Sequence, residues 1–71
     1  MMPLTMIKTG ETVRVERVGG REDTKRFLNN LGFTDGADVT VVNEIDGNMI
    51  VKVRDARVAI NTDMAKKIMV S

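Results

Sequence analysis

Residues Asp23 to Gly36, DTKRFLNNLGFTDG, constrain this chain most, because they hold its one persuasive helix pattern together with a marked place for that helix to stop. Phe27, Leu28 and Leu31 form an apolar stripe at helical spacing, and Lys25, Arg26, Asn29 and Asn30 occupy the other side. Gly32 is the stop. In a left-handed conformation after Leu31 it lets Phe33 fold back onto Leu28, the contact that accompanies a Schellman cap. Thr34-Asp35-Gly36 then turns the chain toward a strand. The stripe, Phe33 included, is expected to be buried as a lid over a core, each side chain contributing about 1.5 to 3 kcal/mol.

The segments on either side read as β structure. Val13 and Val15 alternate with Arg14 and Glu16, and Gly19-Gly20 ends that run as a hinge before the helix. Glu22 and Asp23 suit the first helical turn, where negative charge meets the positive end of the helix dipole. After Gly36, Val39 and Val41 alternate with Asp38 and Thr40, and Val42 breaks the alternation as a bulge does. Asp46-Gly47 between two β-patterned runs predicts a type I′ hairpin. Met49, Val51 and Val53 belong to the next strand, Asp55-Ala56 to a tight connection, and Arg57 to Ile60 to the strand after it. Asn61-Thr62-Asp63 offers caps for one helical turn before a last strand, Ile68 to Val70. Near the start, Thr5 is placed to cap a single turn ahead of Gly10-Glu11.

These elements make one domain, residues 1–71, and the fold class is mainly β. A chain this short yields a few kcal/mol of net stability, has no cysteine to staple it and must hide its strand edges. That favours a small SH3-like five-stranded barrel with one α-helix between strands 1 and 2 and a short helical turn before the last strand.

Composition removes several functions. Without cysteine or histidine there are no zinc fingers, iron–sulfur ligands, Cys or His nucleophiles or HExxH chemistry, and no constellation suggests an enzyme. Glu22-Asp23 is explained by the helix start, and no acidic cluster has metal-site spacing. Eleven basic against ten acidic residues give a formal charge of +1, so no strong field draws the chain to nucleic acid or acidic lipid. Two phenylalanines supply few stacking platforms, and no nucleic-acid partner is expected. No apolar run approaches the ~20 residues that span a bilayer, and MMPLTMIK lacks the features of a secretory signal, so the expected location is cytoplasmic. The densest basic group, Arg14, Arg17, Arg21, Lys25 and Arg26, is interleaved with acids and reads either as solvated charge or as a rim steering the module to an acidic partner.

Several short signatures, in order across nearly the whole length, resemble the FeoA family of ferrous-iron transport accessory proteins. They are Pro3-Leu4-Thr5 with Ile7 and Gly10-Glu11; Gly19-Gly20 before a charged helix; Leu31-Gly32-Phe33-Thr34 with Gly36; and Arg57 to Ile60 followed by Ala65, Ile68 and Val70. Gly10, Leu31, Gly32, Phe33 and Gly36 are thus the structural motif. Asn29-Asn30 departs from the stronger helix formers usual there. The resemblance implies a cytoplasmic, non-enzymatic module docking on the GTP-hydrolysing part of FeoB, the Fe²⁺ transporter, and reaching the membrane only through it. Arg21, Lys25, Arg26 and Phe33 are the expected partner-binding residues. A kinship of that family with the C-terminal domain of iron- and manganese-responsive repressors implies an alternative, a transition-metal-responsive regulatory module. Fe²⁺ is the metal implied, in a chain without histidine or cysteine ligands.

Overall fold

The helix stop is built as its residues require. In a computed structural model describing residues 1–71, α1 (Glu22–Leu31) ends at Gly32 with φ of 115°, and the Gly32 and Phe33 N–H groups donate to the Asn29 and Leu28 carbonyls at 3.0 Å each. This is the paired bonding of a Schellman cap. It carries Phe33 into the core, where its ring is fully buried beside Leu28. Glycine is required by the backbone conformation, and the Arg54 side chain packs over it, where an added Cβ would meet it at 3.1 Å.

Around the helix lies one antiparallel sheet of six strands: β1 (Met2–Pro3), β2 (Thr12–Val18), β3 (Asp38–Ile45), β4 (Asn48–Val53), β5 (Ala56–Asn61) and β6 (Ile68–Val70), in the order β1-β6-β2-β3-β4-β5. It is the expected mainly β, SH3-like arrangement with one strand more than the five read from the sequence. β1 has two residues and no alternation to betray it, and it exists because β6 offers it a partner. β1 and β5 remain as edges, so the barrel has an open seam.

Alternation fills the interior. Val15, Val39, Val41, Met49, Val51, Val53, Ile60, Ile68 and Val70 are buried, and Leu4 and Ala65 close the ends of the core. Two bulges then decide which side chains face out. In β3, Val41 pairs with Val51 and Asn43 with Ile50, leaving Val42 unpaired as its break in pattern predicted. The shift turns Ile45 to the outer face, where it is 48% exposed. The other bulge interrupts the β2–β6 pairing between Val15 and Arg17. It brings half-buried Val18, instead of Arg17, to the inner face and leaves Arg17 exposed.

The turns follow their chemistry, with two corrections. Asp46 and Gly47 have φ of 47° and 79°, as a type I′ turn demands. The β4–β5 connection, however, is Arg54-Asp55, with Arg54 itself at φ 57°, instead of Asp55-Ala56. Leu4–Met6 forms a 3₁₀ turn preceded by Pro3 without a side-chain cap, so Thr5 is not the cap. Gly10 and Gly36 tie their turns to neighbouring strands, donating to the Val41 and Val15 carbonyls at 2.7 and 2.8 Å.

α2 (Thr62–Ala65) starts at Asn61, whose Oδ1 accepts the Met64 N–H at 2.8 Å. Asn61→Ala is expected to cost about 1 kcal/mol of stability, read as a lowered urea midpoint with unchanged slope. An unchanged midpoint would show that the packing of Ala65 alone holds this turn.

Candidate functional site

Between the end of β2 and the exposed side of α1 lies an open groove of about 410 Å³, lined by Arg17, Gly19, Gly20, Lys25, Asn29 and Asp35 with the flank of Val18. Three local features assemble it. The β2 bulge turns Arg17 outward, helical spacing places Lys25 and Asn29 one turn apart, and the diglycine supplies a floor without side chains. That floor is held by the chain end, as Gly19 N–H donates to the Lys67 carbonyl at 2.7 Å. The Lys67 stem lies over Gly20, where an added Cβ would meet its Cδ at 3.0 Å. Arg17, Lys25 and Lys67 therefore gather about the diglycine, with Asp35 the one carboxylate lining the groove.

The residues expected to meet a partner divide. Lys25 lines the groove, and Arg21, exposed as the residue preceding α1, adjoins its glycine floor. Arg26 is exposed but outside the lining. Phe33 is corrected outright: at 0% exposure it offers no surface to a partner, because the helix stop folds it inward. Its neighbour in the stripe, Phe27, is 47% exposed instead of buried, because it lies about 100° around the helix from Leu28, the fully buried member of the stripe. Arg14 leaves the basic group. It lies opposite Asp38 in the β2–β3 ladder and shares a second groove with Thr12, Glu16 and Ser71.

Sequence reasoning missed Asn29 and Lys67. Asn29 read only as a weak helix former, although its position one turn after Lys25 was available as a signal. Lys67 is brought in by the β2–β6 pairing, for which no local signal exists. Arg54 was missed as well. Its backbone is left-handed, its stem covers Gly32, and its Nη2 donates to Thr34 Oγ1 at 3.2 Å, so it clamps the helix stop.

The arrangement suits binding. No three carboxylate, imidazole or thiolate groups converge where a metal ion would be held. No helix is long and apolar enough to cross a membrane. Fold and groove together define a small SH3-like module with a cationic groove beside its helix.

The chain belongs to the FeoA domain family, whose profile matches residues 2–71. A relative from Methanocaldococcus jannaschii, assigned the name Fe(2+) transport protein A, is 30% identical over 70 residues, covering 99% of this chain and 85% of the relative. A crystal structure of an iron uptake regulatory protein, FeoA, superposes with a TM-score of 0.90 at 28% identity, covering 99% of this chain and 93% of that one. The Stenotrophomonas maltophilia FeoA, crystallised with zinc and described as a prokaryotic SH3 domain protein, gives 0.88 at 26% identity over 100% of this chain and 91% of that one. The same fold occurs within a larger protein, T. acidophilum IdeR, with a TM-score of 0.87 at 27% identity over 99% of this chain and 33% of that one. The chain is accordingly, by family, a ferrous iron transport accessory protein.

Proposed function

We propose that this chain acts in the cytoplasm as a non-enzymatic regulatory module of ferrous iron uptake, docking through its cationic groove on the GTP-hydrolysing part of a FeoB-like transporter. The observation that carries this reading is the gathering of Arg17, Lys25 and Lys67 around a floor of two glycines. Such a floor admits a partner's backbone or a carboxylate side chain close to the three cations, and complementary charge sets orientation and encounter rate. Family membership supports a transport system as the setting. Fe²⁺ is here the cargo of the partner. With no histidine or cysteine and no converging carboxylates, the chain's own residues do not fit a resident transition metal, and no step is routed through one.

Calorimetric titration of this chain against the transporter's cytoplasmic part, with GTP, with GDP and without nucleotide, tests the reading. Association in at least one nucleotide state, weakening as salt rises, is expected. Absence of binding in all three would overturn it.

A second reading, a metal-responsive regulatory module, rests on the likeness to IdeR over one third of that protein's length, against the lack of fitting metal ligands in this chain. Anaerobic titration with Fe²⁺ or Mn²⁺ separates the two. A heatless titration removes the second reading and leaves the first standing.

A further inference from the structure

The two edges of the sheet are not equivalent. β1 is two residues long and ends in Pro3, which has no N–H to donate, so that edge is blunted. β5 has six residues, no proline and a single partner, β4. The two-residue connection Arg54-Asp55 makes Val53 and Ala56 the closing bonded pair, and alternation then bonds Val51 to Val58 and Met49 to Ile60. The N–H and C=O groups of Arg57 and Ala59 consequently point away from the sheet. No backbone hydrogen bond outside the ladders uses them, and both residues are exposed.

The outer face beside this edge has an unusual charge pattern. Lys52 and Arg57 are directly opposite one another, a like-charge pairing that works against the hairpin. One charge is enough to guard an edge against chance pairing, and the second is unexplained by that role. Two residues along, Ile50 lies opposite Ala59, and Ile45, 48% exposed, is diagonal to Ile50. Cations at one end and apolar side chains at the other therefore border a free row of donors and acceptors.

We propose that the β5 edge receives an extended segment of a partner protein as a seventh, antiparallel strand, and that the segment carries the pattern apolar-x-acidic. Residues directly opposite in an antiparallel ladder share a face. The acidic side chain would lie opposite Arg57 and relieve its repulsion with Lys52. The apolar one, which precedes it because the added strand runs the other way, would cover small Ala59 and reach toward Ile50. The middle residue would fall on the inner face over half-buried Val58. Main-chain bonds to Arg57 and Ala59 supply affinity, and the alternate side chains supply selectivity. This edge lies outside the Arg17–Lys25 groove lining, so the inference does not depend on the docking reading above.

The probe is an eight-residue capped peptide with leucine, valine and glutamate in succession at its centre, and its counterpart with lysine replacing glutamate. The first is expected to slow amide exchange at Arg57 and Ala59, and the second to bind at least about tenfold more weakly. Ala59→Pro removes an outward N–H that the fold does not use, so it should abolish this protection while leaving the unfolding midpoint nearly unchanged. Arg57→Glu should reverse the preference in favour of the lysine peptide. Undiminished binding by Ala59→Pro, protection confined to other amides, or no binding of either peptide would overturn the proposal. Protection of the same two amides that grows with protein concentration alone would overturn it in favour of a second copy of this chain at that edge.

Discussion

Phe33→Ala is expected to lower the unfolding free energy by about 3–5 kcal/mol, the usual cost of deleting a fully buried aromatic ring and leaving a cavity. The residue is 0% exposed and is the largest of the fully buried side chains. A chain of 71 residues has roughly 4–10 kcal/mol in total, so about a third or more of the stability goes with this ring. The unfolding midpoint should fall by tens of degrees, since each kcal/mol moves a domain of this size by about 4–8 °C. Phe27→Ala, on the same stripe but 47% exposed, should cost under about 1 kcal/mol. Comparable losses for the two would mean that the helix stop does not sort these rings as described. Urea titrations of both variants decide this, because a midpoint shift at constant slope reports stability alone.

The second large effect concerns binding. Arg17→Glu combined with Lys25→Glu turns both cations that line the groove into repulsive charges, and association with the transporter's cytoplasmic part is expected to weaken about 30- to 100-fold, about 2 to 2.7 kcal/mol. Most of the loss should appear in the association rate at low salt and shrink as ionic strength rises, because these side chains are not fully desolvated. Neither is buried, and folding should be little changed. Lys8→Glu, exposed and outside the groove, is the control and should bind nearly as the parent does. A double variant that binds as well as the parent would exclude the groove.

What could be read from the sequence was whatever depends on neighbours in the chain. Leu31-Gly32-Phe33 specifies its stop because the cap is made within six residues, and Asp46-Gly47 specifies its hairpin because both turn conformations are local preferences. Asn61 and the Val42 bulge were legible for the same reason. The family, too, was visible in the order of such short signatures, and residues 2–71 match it.

What escaped depends on distant partners. β1 forms only because β6 is beside it, and Lys67 reaches Gly20 only through the β2–β6 pairing. Arg54 occupies a left-handed position that sequence preference would give to glycine or asparagine, and the compensation, its contact with Gly32 and its bond to Thr34, is spread over two turns. The candidate site suffered most. Helical spacing identified Lys25, but a bulge elsewhere decided that Arg17 would face the same groove, and the helix stop withdrew Phe33 from it. Local charge density picked out basic residues of which Arg17 and Lys25 line the groove, and tertiary pairing decided which of them meet there.

The central claim, that the cationic groove is where this module meets its transporter, is tested most directly by recording amide resonances of the labelled chain while the unlabelled cytoplasmic part of the transporter is added. Shifts and broadening should gather at Arg17, Gly19, Gly20, Lys25 and Asn29. Perturbation centred instead on the Arg14, Asp38 and Ser71 groove, with those five unmoved at saturation, would contradict it.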